Sequence, residues 1–307
     1  MTLTMDASPA APSCAPAPSA AAEKVLVGLI GSGIGLSLTP AMHEQEARHH
    51  GLRLHYQLID LDRTASGPEV LPMLLQAART MGFAGLNITY PCKQAVIPLL
   101  DELSDEARAM GAVNTVVLHD GRLVGHNTDG MGWTRGFRRA LPQADLARVV
   151  LLGTGGAGSA IAHAALRLGV AELRLFDREL QRAVALAEEL GQRYGEGRVR
   201  AVANLAEAMA DATGLVHATP TGMAKLPGLP LPAGMLRPDL WVSEIVYFPL
   251  ETPLLREARA RGCPVSDGGG MAVGQAIGAF ELFTGRKADP ARVEAHFRQL
   301  VAARATT

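Results

Sequence analysis

The chain has 307 residues, 48% of them hydrophobic, and a formal net charge of −1. That length is ample for two packed domains, and the near-neutral charge carries no footprint for nucleic acid or an anionic membrane. The scattered cysteines Cys14, Cys92 and Cys263 form neither a disulfide framework nor a metal site, and no apolar run reaches transmembrane length, so a reducing cytoplasm is the expected compartment.

Residues 1–22 are rich in Ala, Pro, Ser and Thr and lack the basic start and apolar run of a signal peptide. Such a segment buries too little to offset its ordering entropy, so residues 1–23 read as a disordered tail. Lys24–Gly31 reads as the first strand. The run Gly31-Ser32-Gly33-Ile34-Gly35 looks like a dinucleotide loop, but Leu36-Ser37-Leu38-Thr39-Pro40 follows, and the proline suits the first turn of a helix over 41–50. Thr39 is placed to cap that helix, to join Ser37 in gripping a polar ligand, or both.

Residues 55–60 alternate like a strand, and 69–81 read as a helix. In Leu86-Asn87-Ile88-Thr89-Tyr90-Pro91-Cys92-Lys93, an extended chain puts Leu86, Ile88 and Tyr90 on one face and Asn87 and Thr89 on the other. Pro91 ends the ladder and starts a helix carrying Lys93. Asn87, Thr89 and Lys93 then converge at the carboxyl edge of a sheet, where open α/β folds bind ligands. A helix over 104–110 ends at Gly111. A strand over 112–117, with Asn114 near its start, turns at Asp120-Gly121 and pairs back through 122–126. The polar knot Asn127-Thr128-Asp129-Gly130 precedes a helix over 133–140, with Asp129 either its cap or a catalytic group.

The stretch Val149-Val150-Leu151-Leu152-Gly153-Thr154-Gly155-Gly156-Ala157-Gly158 joins a strand buried on both faces to a glycine turn and an alanine-rich helix. Gly153, Gly155 and Gly158 carry G-x-G-x-x-G spacing, which lets backbone approach a pyrophosphate at a helix N-terminus. The next strand, Glu172–Phe176, ends at Asp177, placed to accept bonds from the adenosine ribose or to cap the helix near Leu180. Helices over 182–190 and 205–210 follow, then a strand over 214–219. Thr219-Pro220-Thr221-Gly222-Met223 ends that strand as a plain turn or as a cofactor contact. A strand over 241–246 and a helix over 254–261 lead to Asp267-Gly268-Gly269-Gly270, a helix over 271–283 presenting Gln275, and a last helix over 290–303. Glycines 130, 132 and 268–270 are expected as hinges between domains. The histidines, among them His43, His163 and His217, have no metal spacing, and no metal is expected.

Together these segments resemble the shikimate dehydrogenase family from about residue 24 to residue 300. The resemblance rests on Ser37-Leu38-Thr39-Pro40, Asn87-Ile88-Thr89-Tyr90-Pro91-Cys92-Lys93, Gly111-Ala112-Val113-Asn114-Thr115, Asn127-Thr128-Asp129-Gly130 and the glycine loop. Ala218-Thr219-Pro220-Thr221-Gly222-Met223, Val246-Tyr247-Phe248-Pro249 and Met271-Ala272-Val273-Gly274-Gln275-Ala276 complete it. It implies an α/β protein with a substrate-binding domain (24–128 and 266–307), a Rossmann-type dinucleotide-binding domain (129–265) and an active site in the cleft between them. It also implies reversible hydride transfer between a nicotinamide and a ring hydroxyl of shikimate or a near relative.

By the same resemblance Lys93 and Asp129 are the catalytic pair. Ser37, Thr39, Asn87, Thr89, Lys93, Asn114, Asp129, Tyr247 and Gln275 hold the small-molecule substrate. Gly153, Thr154, Gly155, Gly156, Ala157, Gly158, Asp177, Arg178, Thr219, Thr221, Met223, Val246 and Gly268 hold the cofactor. Alcohol oxidation needs a base for the hydroxyl proton, and carbonyl reduction needs an acid. A neighbouring carboxylate favours the charged form of a lysine, so Asp129 is expected mainly to orient Lys93 and the hydroxyl. The family's biosynthetic branch typically has two serines in the first loop and an Asn-Arg-Thr run that reads the NADP phosphate. Here Thr39 stands in the loop, and Asp177-Arg178-Glu179 in the run, with two carboxylates that repel a 2′-phosphate. NAD is therefore expected ahead of NADP, and the branch resembled is the one that oxidises quinate as well as shikimate. The rivals are the NADP-dependent biosynthetic enzyme, a relative acting on an aminated shikimate, and a nucleotide-binding regulator without catalysis. A homodimer is compatible with the sequence, which carries no signature of oligomeric state.

Overall fold

A computed structural model describes residues 23–223 and 225–305. The predicted tail, apart from Glu23, lies outside the described residues. Strand β1 (Lys24–Gly31) is followed by α1 (Thr39–His49), β2 (Arg53–Asp60), α2 (Leu71–Met81), β3 (Gly85–Ile88) and the short α3 (Cys92–Ala95). Then come β4 (Glu102–Leu103), α4 (Asp105–Met110), β5 (Thr115–His119) and β6 (Arg122–His126). These strands form one sheet in the order β2-β1-β3-β5-β6-β4. β1 runs parallel to both neighbours, whereas β5 and β6 are an antiparallel hairpin. Its turn has φ of 49° at Asp120 and 74° at Gly121, the left-handed pair whose twist matches the flanking strands.

The chain then runs through α5 (Asp129–Ala140), β7 (Arg148–Leu152), α6 (Gly156–Leu168), β8 (Glu172–Phe176), α7 (Leu180–Tyr194) and β9 (Val199–Ala201). It continues with α8 (Leu205–Ala210), β10 (Gly214–His217), β11 (Trp241–Glu244), α9 (Pro253–Ala260) and β12 (Val265–Ser266). This second sheet is parallel throughout, ordered β12-β11-β10-β7-β8-β9. The central strands β7 and β10 carry apolar runs buried on both faces; Val149, Val150, Leu151, Leu215 and Val216 are all fully buried. Strand order reverses between β7 and β10, which opens a crevice at their carboxyl ends.

Two helices complete the chain, α10 (Gly269–Thr284) and α11 (Pro290–Ala305). α10 crosses α5 with backbones in contact: a Cβ on Gly132 would lie 2.6 Å from the Gln275 nitrogen, and one on Gly274 would lie 2.6 Å from the Gly132 Cα. Gly130 and Gly132 lie within α5 and Gly269 and Gly270 within α10, where their missing side chains permit close helix packing. α11 returns to the first sheet. Val293 and Phe297 share a core with Leu38, Met42, Ala276 and Phe280, and Arg292 Nη2 donates to Glu46 of α1 at 2.6 Å.

α1 buries His43 at 1% exposure against the rings of Tyr56, Phe280 and Phe283. Neither ring nitrogen has a hydrogen-bond partner, and burial pushes its pKa down from 6.5 to about 3. The folded chain therefore refuses a proton that the unfolded chain takes up once pH falls below the unfolded value. Stability is complete above that value and is lost as pH falls towards the folded one. Acidification to about pH 5 is expected to cost this site about 2 kcal/mol. Urea denaturation at neutral and acidic pH checks this, because His43→Leu should lose that much less than wild type. Parallel losses in the two proteins would contradict it.

Candidate active site

The first glycine run ends β1 without starting a helix, so it presents no helix N-terminus to a phosphate. Thr39 is the first residue of α1, and Leu38 holds the cap position without a side-chain bond. The capping role expected for Thr39 is thus corrected. Ser37 Oγ instead donates to Thr39 Oγ1 at 3.1 Å and accepts from the Thr39 backbone N–H at 3.3 Å, which brings the two hydroxyls together. The Tyr247 phenol reaches the same place, close enough for Ser37 to act on its ionisation. Burial pushes the Tyr247 phenol above its ordinary pKa, against the opposing pull of Ser37 and of the Arg304 charge.

β3 is shorter than its alternation suggests. It ends at Ile88, Thr89 N still donates to Ile30 O at 2.9 Å, and a cis Tyr90-Pro91 bond then turns the chain into α3. Tyr90 leaves the face predicted for it and is 76% exposed. The turn brings Lys93 over the sheet edge, where its Nζ lies 2.5 Å from Asp129 Oδ2. Asp129 is only 1% exposed, whereas Lys93 is partly open at 17%.

Asp129 is the first residue of α5, which begins four residues earlier than the apolar pattern suggests. It is not the cap: Thr128 holds that position, and Asn127 Oδ1 accepts from the Asp129 N–H at 3.0 Å. A carboxylate in the first helical turn is stabilised by the unpaired N–H groups there.

Asn114 lies beneath this pair at 2% exposure. Its Nδ2 donates to Asp129 Oδ1 at 2.8 Å and to Thr128 Oγ1 at 2.9 Å; its Oδ1 accepts from the Thr128 N–H at 2.9 Å. Gln275 Oε1 is more distant from Nδ2, at 3.4 Å. An amide has two hydrogens, so Asn114 spends both inside the protein and fixes Asp129. Asn87 is similarly committed. Its Nδ2 donates to Asn114 O at 3.2 Å and Thr115 Oγ1 at 3.0 Å, while its Oδ1 accepts from the Tyr56 hydroxyl at 2.7 Å. One lone pair on that oxygen remains for a ligand hydroxyl. Thr89 stands half-buried at the same edge.

The second glycine loop faces this cluster. A Cβ on Gly156 would lie 3.7 Å from both Cβ and Cδ of Lys93, so the start of α6 rests against the lysine. A Cβ on Gly158 would lie 2.1 Å from the Gly153 carbonyl oxygen, which admits no side chain, and Gly153 has φ of 92°. Space is open in front of Gly155. The first N–H groups of α6, from Gly156, Ala157 and Gly158, thus meet an open cradle that suits a pyrophosphate.

Asp177 Oδ2 accepts from both the N–H and the hydroxyl of Thr154 at 2.9 Å, and Oδ1 accepts from the Glu179 N–H at 3.0 Å. Burial pushes this carboxyl up, but the bonds from Glu179 and Thr154 and the Arg182 charge outweigh burial and hold its pKa below the ordinary value. Glu179, not Asp177, takes the cap position of α7, and Arg178 is exposed. On the other side of the crevice, Thr219, Thr221 and Met223 follow β10. Val246 lies beyond β11, where a Cβ on Gly268 would come within 2.4 Å of its carbonyl oxygen.

Residues 29–116 match the family model described as the shikimate dehydrogenase substrate binding domain. A shikimate dehydrogenase (NADP(+)) of Streptomyces avermitilis is 58% identical over 91% of this chain and 96% of its own length. The chain belongs to the shikimate dehydrogenase family. A quinate/shikimate dehydrogenase (NAD(+)) of Corynebacterium efficiens is 46% identical over 91% of this chain and 99% of its own. A solved quinate dehydrogenase from Corynebacterium glutamicum in complex with NAD superposes with a TM-score of 0.83 at 44% identity, covering 90% of this chain and 99% of that one.

As a shikimate dehydrogenase family member, the protein is an oxidoreductase of the shikimate/quinate type that uses a nicotinamide dinucleotide. The family-model match includes Lys93 and Asn114 but stops before Asp129. Sequence reading missed Tyr56 and treated Thr128 only as part of a motif. Tyr56 reaches Asn87 across 31 positions of sequence, so no local pattern marks it. Among the described residues no group of His, Cys, Asp and Glu is arranged to hold a metal, and no helix is long and apolar enough to cross a membrane.

Proposed function

We propose that this protein is an NAD-preferring quinate/shikimate dehydrogenase, with the substrate held by residues 24–128 and 266–307 and the dinucleotide by residues 129–265. The observation that carries the chemistry is the contact of Lys93 with Asp129 at 2.5 Å, with the N-terminus of α6 resting on the same lysine. Nicotinamide, when bound, supplies a hydride acceptor in one direction and a hydride donor in the other. The chain's own residues manage orientation and the proton. Asn114 anchors Oδ1 of Asp129, which leaves Oδ2 and the Lys93 ammonium to meet the reacting hydroxyl. The proton released on alcohol oxidation passes to that pair and returns from it on carbonyl reduction. Ser37, Thr39 and Tyr247 take the substrate carboxylate. Asn87, Thr89 and Gln275 sort the remaining ring hydroxyls, with Asn87 acting as an acceptor.

The NAD preference rests on Asp177, whose pKa is held below the ordinary carboxyl value beside the glycine loop. A 2′-phosphate placed there would meet a like charge, whereas a ribose hydroxyl can donate to the remaining lone pair. NADP dependence is the second reading, favoured by the name of the Streptomyces relative. Steady-state rates with quinate and shikimate, each with NAD and NADP, separate the two, and equal efficiencies with both nucleotides would end the NAD reading. Tight nucleotide binding without turnover would point to a regulator instead. Asp177→Asn keeps the shape and removes the charge. It is expected to move the ratio of kcat/KM for NAD over NADP about tenfold towards NADP, or about 1.4 kcal/mol.

A further inference from the structure

The chemistry just described leaves one buried ionisable pair unused. His217 ends β10 and Glu244 ends β11, and the two are register partners across parallel strands, with side chains fully buried. His217 Nδ1 lies 2.9 Å from Oε1 and 3.0 Å from Oε2 of Glu244. Glu244 Oε1 also accepts from the Val246 N–H at 2.9 Å, and Oε2 accepts from the Thr252 hydroxyl at 3.0 Å. A carboxylate only accepts, so the ring nitrogen facing Glu244 carries a proton, and Nε2 points to Thr219. That nitrogen lies 2.5 Å from Thr219 Oγ1, which in turn accepts from the Thr221 N–H at 3.3 Å.

Such a cluster is not needed to hold two parallel strands together. An apolar pair of similar volume would avoid the desolvation that buried imidazole and carboxylate incur. What the cluster does is join two loops that are far apart in sequence. One end grips the turn Thr219-Pro220-Thr221, and the other grips the backbone of Val246, on opposite sides of the β10–β11 edge. We infer that His217 and Glu244 are positioning residues for the nicotinamide end of the cofactor: they lock both loops at one relative depth, so the bound ring is presented to Lys93 and Asp129 at a fixed distance. This rests on the reading that those loops contact the cofactor.

Thr219→Val, His217→Asn and the double variant test it in the full-length protein, with NAD titration and steady-state kinetics on the cyclic alcohol. The shorter amide of His217→Asn keeps an N–H for Glu244 but has nothing to offer Thr219. His217→Asn is expected to raise KM for NAD about tenfold, leave KM for the alcohol within about twofold and keep the thermal midpoint. In the Thr219→Val background it should add less than about twofold, because both changes break one connection. Wild-type nucleotide kinetics in His217→Asn, or effects that multiply in the double variant, would overturn the inference. Should His217→Asn fail to fold, Glu244→Gln decides, since it preserves shape and reverses the tautomer. It must raise KM for NAD selectively, and a change in thermal midpoint alone refutes the positioning role. A Thr219→Val protein that binds NAD like wild type would instead remove the loop reading beneath it.

Discussion

Replacing Lys93 by methionine is expected to lower kcat by about 10²- to 10⁴-fold, the range for loss of a positioned proton-transfer group. Methionine fills the stem volume against Gly156 without an ammonium, so the start of α6 should stay in place and nucleotide affinity should hold. The buried Asp129 loses its partner at 2.5 Å but keeps the Asn114 bond and the helix N-terminus. KM for the alcohol should therefore change far less than kcat. The decisive measurement is single-turnover reduction of NAD at saturating substrate. A Lys93→Met protein that turns over at the wild-type rate would remove the lysine from the chemistry.

The second large effect is expected from Gly158→Ala. Its methyl group would sit 2.1 Å from a backbone carbonyl oxygen, and backbone cannot step aside as the end of a flexible side chain can. Either the loop opens or the start of α6 shifts, and both dismantle the N–H cradle. NAD affinity should fall about 100-fold or more, equivalent to at least about 2.7 kcal/mol. The first sheet lies outside this clash, so thermal stabilisation by shikimate alone should survive. Isothermal titration with NAD beside thermal shifts with shikimate reads both halves. Unchanged NAD affinity would show that the loop does not carry the pyrophosphate.

The glycine loop was legible because it is local: strand, turn and helix all lie between Arg148 and Leu168, and each obeys its own pattern. The four inner strands of the second sheet were legible in the same way, whereas the short edge strands β9 and β12 carry no apolar run to mark them. Boundaries that depend on polar contacts were less legible. Apolar periodicity begins near Trp133, but α5 starts at Asp129, with Thr128 at the cap position and Asn127 Oδ1 accepting from the Asp129 N–H. Tyr90 left its expected face because the chain turns at Pro91 before the alternation can continue. Of the glycines expected as hinges, Gly132 and Gly270 lie where α5 and α10 cross, Gly130 packs against α6, and Gly268 packs against the backbone of Ile245 and Val246.

From its sequence alone, this protein is a two-sheet α/β oxidoreductase with a dinucleotide loop, and its chemistry-bearing residue types are all present in recognisable short segments. Periodicity and glycine spacing reach the α/β pattern and the loop because they report each residue's neighbours along the chain, and the oxidoreductase activity is what the family resemblance implies. Tertiary structure alone decided which of those residues meet one another and which hold others in place. Asn114 became the anchor of Asp129, Tyr56 the partner of Asn87, and His217 with Glu244 the tie between two loops. Each role depends on a hydrogen bond of about 3 Å between residues up to 31 positions apart, and a bond of that length exists only once the chain has closed on itself.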